Sequence, residues 1–137
     1  MSSTHRMHVA LNVADLDASR SFYEDLFGVS PDKVKPGFVR FQLDDPALAL
    51  SLNTEGPVTH GNSVAHLGIR LGAADDLSAA RSRLEGAGHA LKIEDQVHCC
   101  HAVQDKFWVK DPDGNEWEYY VLTDDDPAAD AGNGCCS

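Results

Sequence analysis

A repeat constrains this chain more than any other feature. His8 to Gly28 and His66 to Gly86 each span 20 residues, and both run through the same series of patterns. In the first, Val9, Leu11 and Val13 alternate with more polar residues, the period of a strand. Leu16, Ser19, Phe22, Tyr23, Leu26 and Phe27 then recur at helical spacing, with Asp15 or Asp17 placed to cap the start and Gly28 to stop it. In the second, Leu67, Ile69 and Leu71 alternate, and Leu77, Ala80, Arg81 and Leu84 share one helix face before Gly86-Ala87-Gly88. A repeat of this size means two supersecondary units, each with an apolar face that it cannot bury alone.

The segments after each helix are also strand-like. The first half continues with Val34–Leu43, broken at Pro36-Gly37, a turn at Asp44-Asp45-Pro46, and Leu48–Leu52. Thr54–Asn62, with three glycine or proline punctuators, is a linker. The second half continues with Ala90–Ile93, Lys106–Val109, a turn at Asp111–Asn115 and a final strand over Trp117–Leu122. The expected fold is α+β: two βαβββ modules, about 7–53 and 64–122, forming a curved mixed sheet around a shared site in one domain of residues 1–122. Residues 123–137 are acidic and rich in glycine and alanine, the composition of a flexible tail.

The repeat brings His8 and His66 to equivalent places, the opening of each half's first strand. A single histidine on a strand is most often just a packed or exposed side chain. Two at equivalent positions of a pseudo-twofold repeat converge on its axis and become candidates for one metal. The last strand adds a carboxylate, Glu118, with Glu116 as competitor because period-two alternation puts both on one face. The corresponding strand of the first half, 47–53, contains neither carboxylate nor imidazole. Two histidines and one carboxylate, with positions left open, suit non-haem Fe(II) that takes O2 and substrate together. His5, His60, His89, His98 and His101 are spare and are read mainly as surface residues.

The second chemical signature is a pair of adjacent thiols, Cys99 and Cys100, flanked by His98 and His101, with another doublet at Cys135-Cys136. Neighbouring cysteines are too close along the chain for ordinary disulfide geometry. Read blandly, they are small apolar residues; the recurrence of the doublet argues for soft-metal or metalloid capture. Imidazolium neighbours lower thiol pKa. Joint action by consecutive residues calls for a loop, since strand neighbours point to opposite faces.

Composition sets the outer limits. The 137 residues carry 22 acidic against 11 basic side chains, a net charge of −11. Phosphate backbones demand a basic surface, so nucleic acid is not the expected partner. No apolar run approaches membrane length, and the first residues lack a signal-peptide core. With unpaired thiols, these features point to a reducing cytoplasm. A monomer or a homodimer is the expected assembly.

The stretches HVALNVADLDASRSFYEDLFG, HLGIRL and DPDGNEWE resemble the vicinal oxygen chelate superfamily, which includes glyoxalase I, bleomycin-resistance proteins and extradiol dioxygenases. The resemblance covers roughly Met7 to Leu122 and implies that His8, His66 and Glu118 bind metal. HCCHAVQDKFWVKDPDGNEWEYYVL and the terminal Cys135-Cys136 are similar to the branch of carbon–arsenic bond lyases and cadmium-induced proteins. That likeness implies an Fe(II)- and O2-dependent C–As lyase acting on methylarsenite and trivalent aromatic arsenicals, with Cys99 and Cys100 binding the substrate. Cys135 and Cys136 then become auxiliary thiols. Two other readings stand beside it. One is a thiol-based protein that sequesters cadmium, zinc or arsenite without turnover. The other is a glyoxalase-like isomerase or transferase, which leaves both doublets unexplained.

Overall fold

The computed structural model describes residues 5–59, 61, 63–99 and 102–124. The chain forms two compact units. One comprises residues 1–61 together with the short segment Asp111–Gly114; the other holds 62–110 and 115–137.

In the first unit, β1 (Met7–Asn12) leads into α1 (Leu16–Phe27), followed by β2 (Lys33–Lys35), β3 (Phe38–Asp44) and β4 (Ala47–Asn53). The sheet order is β1-β4-β3-β2, with β1 and β4 parallel and the other pairs antiparallel. The helix begins where a side chain can satisfy a free backbone donor: the Asp15 carboxylate accepts from the Ala18 N–H at 3.1 Å. It ends where Gly28 takes a left-handed conformation, φ 69°, that a side chain would resist. Its inward face buries Ser19, Phe22, Tyr23 and Leu26. That face packs on β3 and β4, where Val39, Phe41, Leu50 and Leu52 are buried. Each such side chain contributes about 1.5–3 kcal/mol when removed from water. The break expected at Pro36-Gly37 is the β2–β3 hairpin, with Gly37 at φ 73°.

The 111–114 turn belongs to this unit through its carboxylates. Tyr23 donates its hydroxyl to Asp111 Oδ2 at 2.6 Å in a buried hydrogen bond, and the Ala14 N–H donates to Asp113 Oδ1 at 3.2 Å.

The second unit repeats the plan with β5 (Leu67–Arg70), α2 (Ala74–Gly86), β6 (Lys92–Cys99), β7 (Ala102–Lys110) and β8 (Glu116–Asp124). Its order is β5-β8-β7-β6, again with one parallel pair, β5 and β8. Ala80 and Leu84 of α2 are buried, as are Ile69, Phe107, Val109, Trp117, Tyr119 and Val121 of the sheet, and α2 packs on β8. Arg81, expected on the inner helix face, is exposed and pairs with Glu85 one turn on. Its long cationic side chain gains more from that pair than from burial.

The larger departure is in β6 and β7. The strands are longer than the apolar pattern indicates: β6 runs up to Cys99 and β7 starts at Ala102. A bulge between Glu94 and Val97 accommodates the irregular sequence. There Gln96 adopts φ 54° and donates both its N–H and its side-chain amide to Asp105 Oδ1. Likewise β8 continues to Asp124, two residues past the expected domain end, with the Thr123 hydroxyl donating to the Val103 carbonyl. No helix among the described residues is long and apolar enough to cross a membrane.

Candidate metal centre and thiol pair

Strand alternation divides the second sheet into two faces. One carries Phe107, Val109, Trp117, Tyr119 and Val121, the core; the other carries Lys106, Trp108, Glu118 and Tyr120. Register places Glu118 opposite Trp108 on β7 and beside Gly68 on β5. His66 stands immediately before β5, and its Nε2 lies 3.7 Å from Glu118 Oε1. The other carboxylate oxygen, Oε2, accepts from Lys106 Nζ at 2.7 Å. Glu118 is 7% exposed and Lys106 is 2% exposed, so this is a buried ion pair. Such a pair persists only when each charge is compensated. Here the Lys106 ammonium also lies 5.8 Å from the ring centres of Trp108 and Tyr120, a distance at which aromatic faces attract cations. Trp108 in turn meets the His66 ring edge-on at 4.9 Å and is itself pinned by its N–H donating to Glu94 Oε1 at 2.8 Å.

The first unit builds a counterpart. His8 on β1 pairs in register with Ala49 of β4, and its Nε2 lies 3.3 Å from the Ser51 hydroxyl, two residues further along. Extending the β5–β8 register by one residue puts His66 opposite Glu116, and Glu118 is again two residues further. Ser51 is therefore the repeat equivalent of Glu118. Ser51 is buried and brings neither carboxylate nor imidazole to this position.

The structure thus brings His66 and Glu118 together, while His8 sits in the other unit. Within either unit, the described residues gather no cluster of three or more metal-binding side chains. Glu116, the competitor, is exposed. It lines a cavity of about 790 Å³ with His89, Lys92, Glu94, Trp108 and Lys110. Cys99 is the last residue of β6 and pairs with Ala102. That places it six residues along β7 from Trp108, the partner of Glu118, or about 20 Å along the strand at 3.3 Å per residue. Cys100, His101, His60, Cys135 and Cys136 lie outside the described residues.

The residues present fit a metal ion. Two bonds of about 2.0–2.2 Å to an imidazole nitrogen and a carboxylate oxygen reach across the 3.7 Å between His66 Nε2 and Glu118 Oε1. Space at Glu118 is kept by Gly68, where an added Cβ would lie 2.8 Å from the Glu118 carbonyl oxygen and 3.5 Å from Oε1. Sequence reasoning missed Lys106, Trp108, Gly68 and Ser51. The signal for the first two was present: in a strand whose odd residues Phe107 and Val109 face the core, the even residues share the face of Glu118.

A family model described as the Glyoxalase/Bleomycin resistance protein/Dioxygenase superfamily matches residues 6–119. The chain belongs to this superfamily. Among solved structures, the superfamily member from Alicyclobacillus acidocaldarius aligns with a TM-score of 0.72 at 17% identity, covering 89% of this chain and 94% of that one, a likeness of fold. Among sequences, the chain is 45% identical over 115 residues to the "Trivalent organoarsenical cleaving enzyme" of Bacillus sp. (strain MD1), covering 82% of this chain and 70% of that protein. It is 40% identical over 131 residues to the "Probable trivalent organoarsenical cleaving enzyme" of Bacillus subtilis (strain 168), covering 95% and 89%. It is 42% identical over 120 residues to the "Cadmium-induced protein CadI" of Mycobacterium tuberculosis (strain ATCC 25618 / H37Rv), covering 88% and 78%. The superfamily and the branch that the sequence motifs resemble are both borne out.

Proposed function

We propose that this chain is an Fe(II)- and O2-dependent C–As bond lyase that converts methylarsenite and trivalent aromatic arsenicals to arsenite. In this reading His8, His66 and Glu118 hold the metal, and Cys99 and Cys100 hold the arsenic. The observation that carries it is the 40–45% identity to proteins named for cleaving trivalent organoarsenicals. The His66–Glu118 pair on the polar face of the second sheet supports it. When bound, ferrous iron supplies the redox chemistry that activates dioxygen, which no side chain of this chain provides.

The protein residues bind and orient. Trivalent arsenic is soft and prefers sulfur. An organoarsenical that keeps one carbon bond has two valences for thiolates, the number that Cys99 and Cys100 offer. Two-point attachment fixes the direction of the remaining As–C bond, and orientation of this kind supplies several kcal/mol of a reaction barrier. Lys106 and Trp108 hold Glu118 and His66 in place from the protein side. From a methyl substrate the products are arsenite and an oxidised one-carbon fragment.

The likeness to CadI favours one further reading, a thiol-based protein that binds cadmium, zinc or arsenite without turnover. Substitutions separate the two. For the lyase, Glu118→Ala abolishes Fe(II) binding and turnover, leaving arsenical capture intact by fluorescence or calorimetric titration. Cys99→Ser does the reverse, because a hydroxyl is a poor ligand for soft arsenic. A sequestering protein draws on all its thiols and is indifferent to Glu118. Unaltered Fe(II) binding and turnover in Glu118→Ala would overturn the role given to this carboxylate.

A further inference from the structure

Glu118 divides its two oxygens: Oε2 accepts from Lys106 Nζ at 2.7 Å, and Oε1 faces His66 Nε2 at 3.7 Å. The lysine side chain is 1% exposed, so its ammonium has no water to fall back on and is held by the carboxylate and the two aromatic rings. Side-chain burial of a lysine to this degree is rare without a partner that needs it. Core formation does not explain it either, because Lys106 stands on the polar face and Phe107 beside it supplies the core contact.

We propose that Lys106 is a positioning residue that occupies Glu118 Oε2 and restricts this ligand to a single metal-facing oxygen, Oε1. The inference rests on the metal reading given above. A glutamate is able to grip an ion with one oxygen or with both. With both, it consumes a position that a substrate or O2 needs. Charge-assisted hydrogen bonds to a carboxylate are short and about twice as strong as neutral ones. Lys106 therefore retains Oε2 while Oε1 turns to the ion. Trp108 links the two ligands physically, touching His66 on one side and lying within cation–π range of Lys106 on the other.

The test uses the whole protein loaded anaerobically with Mn(II) alone, and reads water-proton relaxation per bound ion. Lys106→Met keeps length and loses charge. Its relaxivity is expected to fall by about a third relative to wild type, as a six-position ion with three open sites gives up one to the second carboxylate oxygen. Relaxivity equal to wild type in a folded, Mn(II)-loaded Lys106→Met protein would overturn the assignment. Removing one member of a buried ion pair is strongly destabilising. If the variant fails to fold, the infrared carboxylate stretches of the wild type, loaded minus metal-free, decide. A wide splitting, the mark of one-oxygen ligation, supports the role of Lys106; a narrow splitting, the mark of two, overturns it. A wild type that takes up no Mn(II) would instead overturn the metal reading itself.

Discussion

Glu118 and Asp111 show how this chain uses buried carboxylates for opposite ends. Glu118 keeps one oxygen for Lys106 and leaves the other facing an imidazole, an arrangement suited to an ion. Asp111, 4% exposed, is structural: its Oδ2 accepts from the Tyr23 hydroxyl at 2.6 Å, and its Oδ1 from the Asp113 N–H. Hydrogen bonds to charged groups contribute about 1.5–3 kcal/mol. Tyr23→Phe is accordingly expected to lower unfolding stability by that amount in urea titration, with Fe(II) binding unchanged in the folded protein. A loss below about 0.5 kcal/mol would mean that Asp111 is satisfied without Tyr23. In the sequence, Tyr23 reads as a helix-face aromatic and Asp111 as a turn residue. Their pairing spans 88 residues, and no local pattern announces such a contact.

Elements were legible where one face is apolar. Both helices appear where the spacing predicts them, because each buries a single stripe and ends at glycine or at the residue after it. The β6–β7 hairpin was only half legible. Its polar face carries Lys106, Trp108 and Glu94, and β6 finishes in His98-Cys99, so the apolar alternation fades well before the hydrogen bonding does. The buried Lys106–Glu118 pair imitates a surface pair in sequence. The small β2–β3 hairpin shows a visible charge effect. Arg40 forks onto Asp32, with Nη2–Oδ2 at 2.7 Å and Nε–Oδ1 at 3.2 Å. Its guanidinium holds the Asp32 carboxyl below the usual range. A depressed folded-state value gives stability that is present above the unfolded value, about 3.9. That stability is lost as pH falls through the folded value. Both side chains are about one-third exposed, so solvent screening limits the pair to about 0.2–1 kcal/mol. Asp32→Asn is expected to be less stable than wild type by that amount at pH 7, and the gap to close in acid. A gap that persists undiminished in acid would contradict this account of the pair.

At the scale of the whole molecule, the repeat explains the most. It predicted two modules, and the structure has two units built on one plan, each with a single parallel strand pair next to its helix connection. The register then shows what the sequences of the two halves hinted at: Ser51 stands where Glu118 stands, so the second module carries a carboxylate that the first lacks. Under the proposed function, His8, His66 and Glu118 then form a three-ligand set with positions left open for O2 and substrate. The 40–45% identity to organoarsenical-cleaving proteins carries the proposed activity. It is tested most directly by loading the full chain with Fe(II) and methylarsenite without oxygen, then admitting air and separating the arsenic species by chromatography. The account predicts methylarsenite before air and arsenite after it, in step with oxygen consumed. Methylarsenite still bound and unchanged after aeration would contradict it.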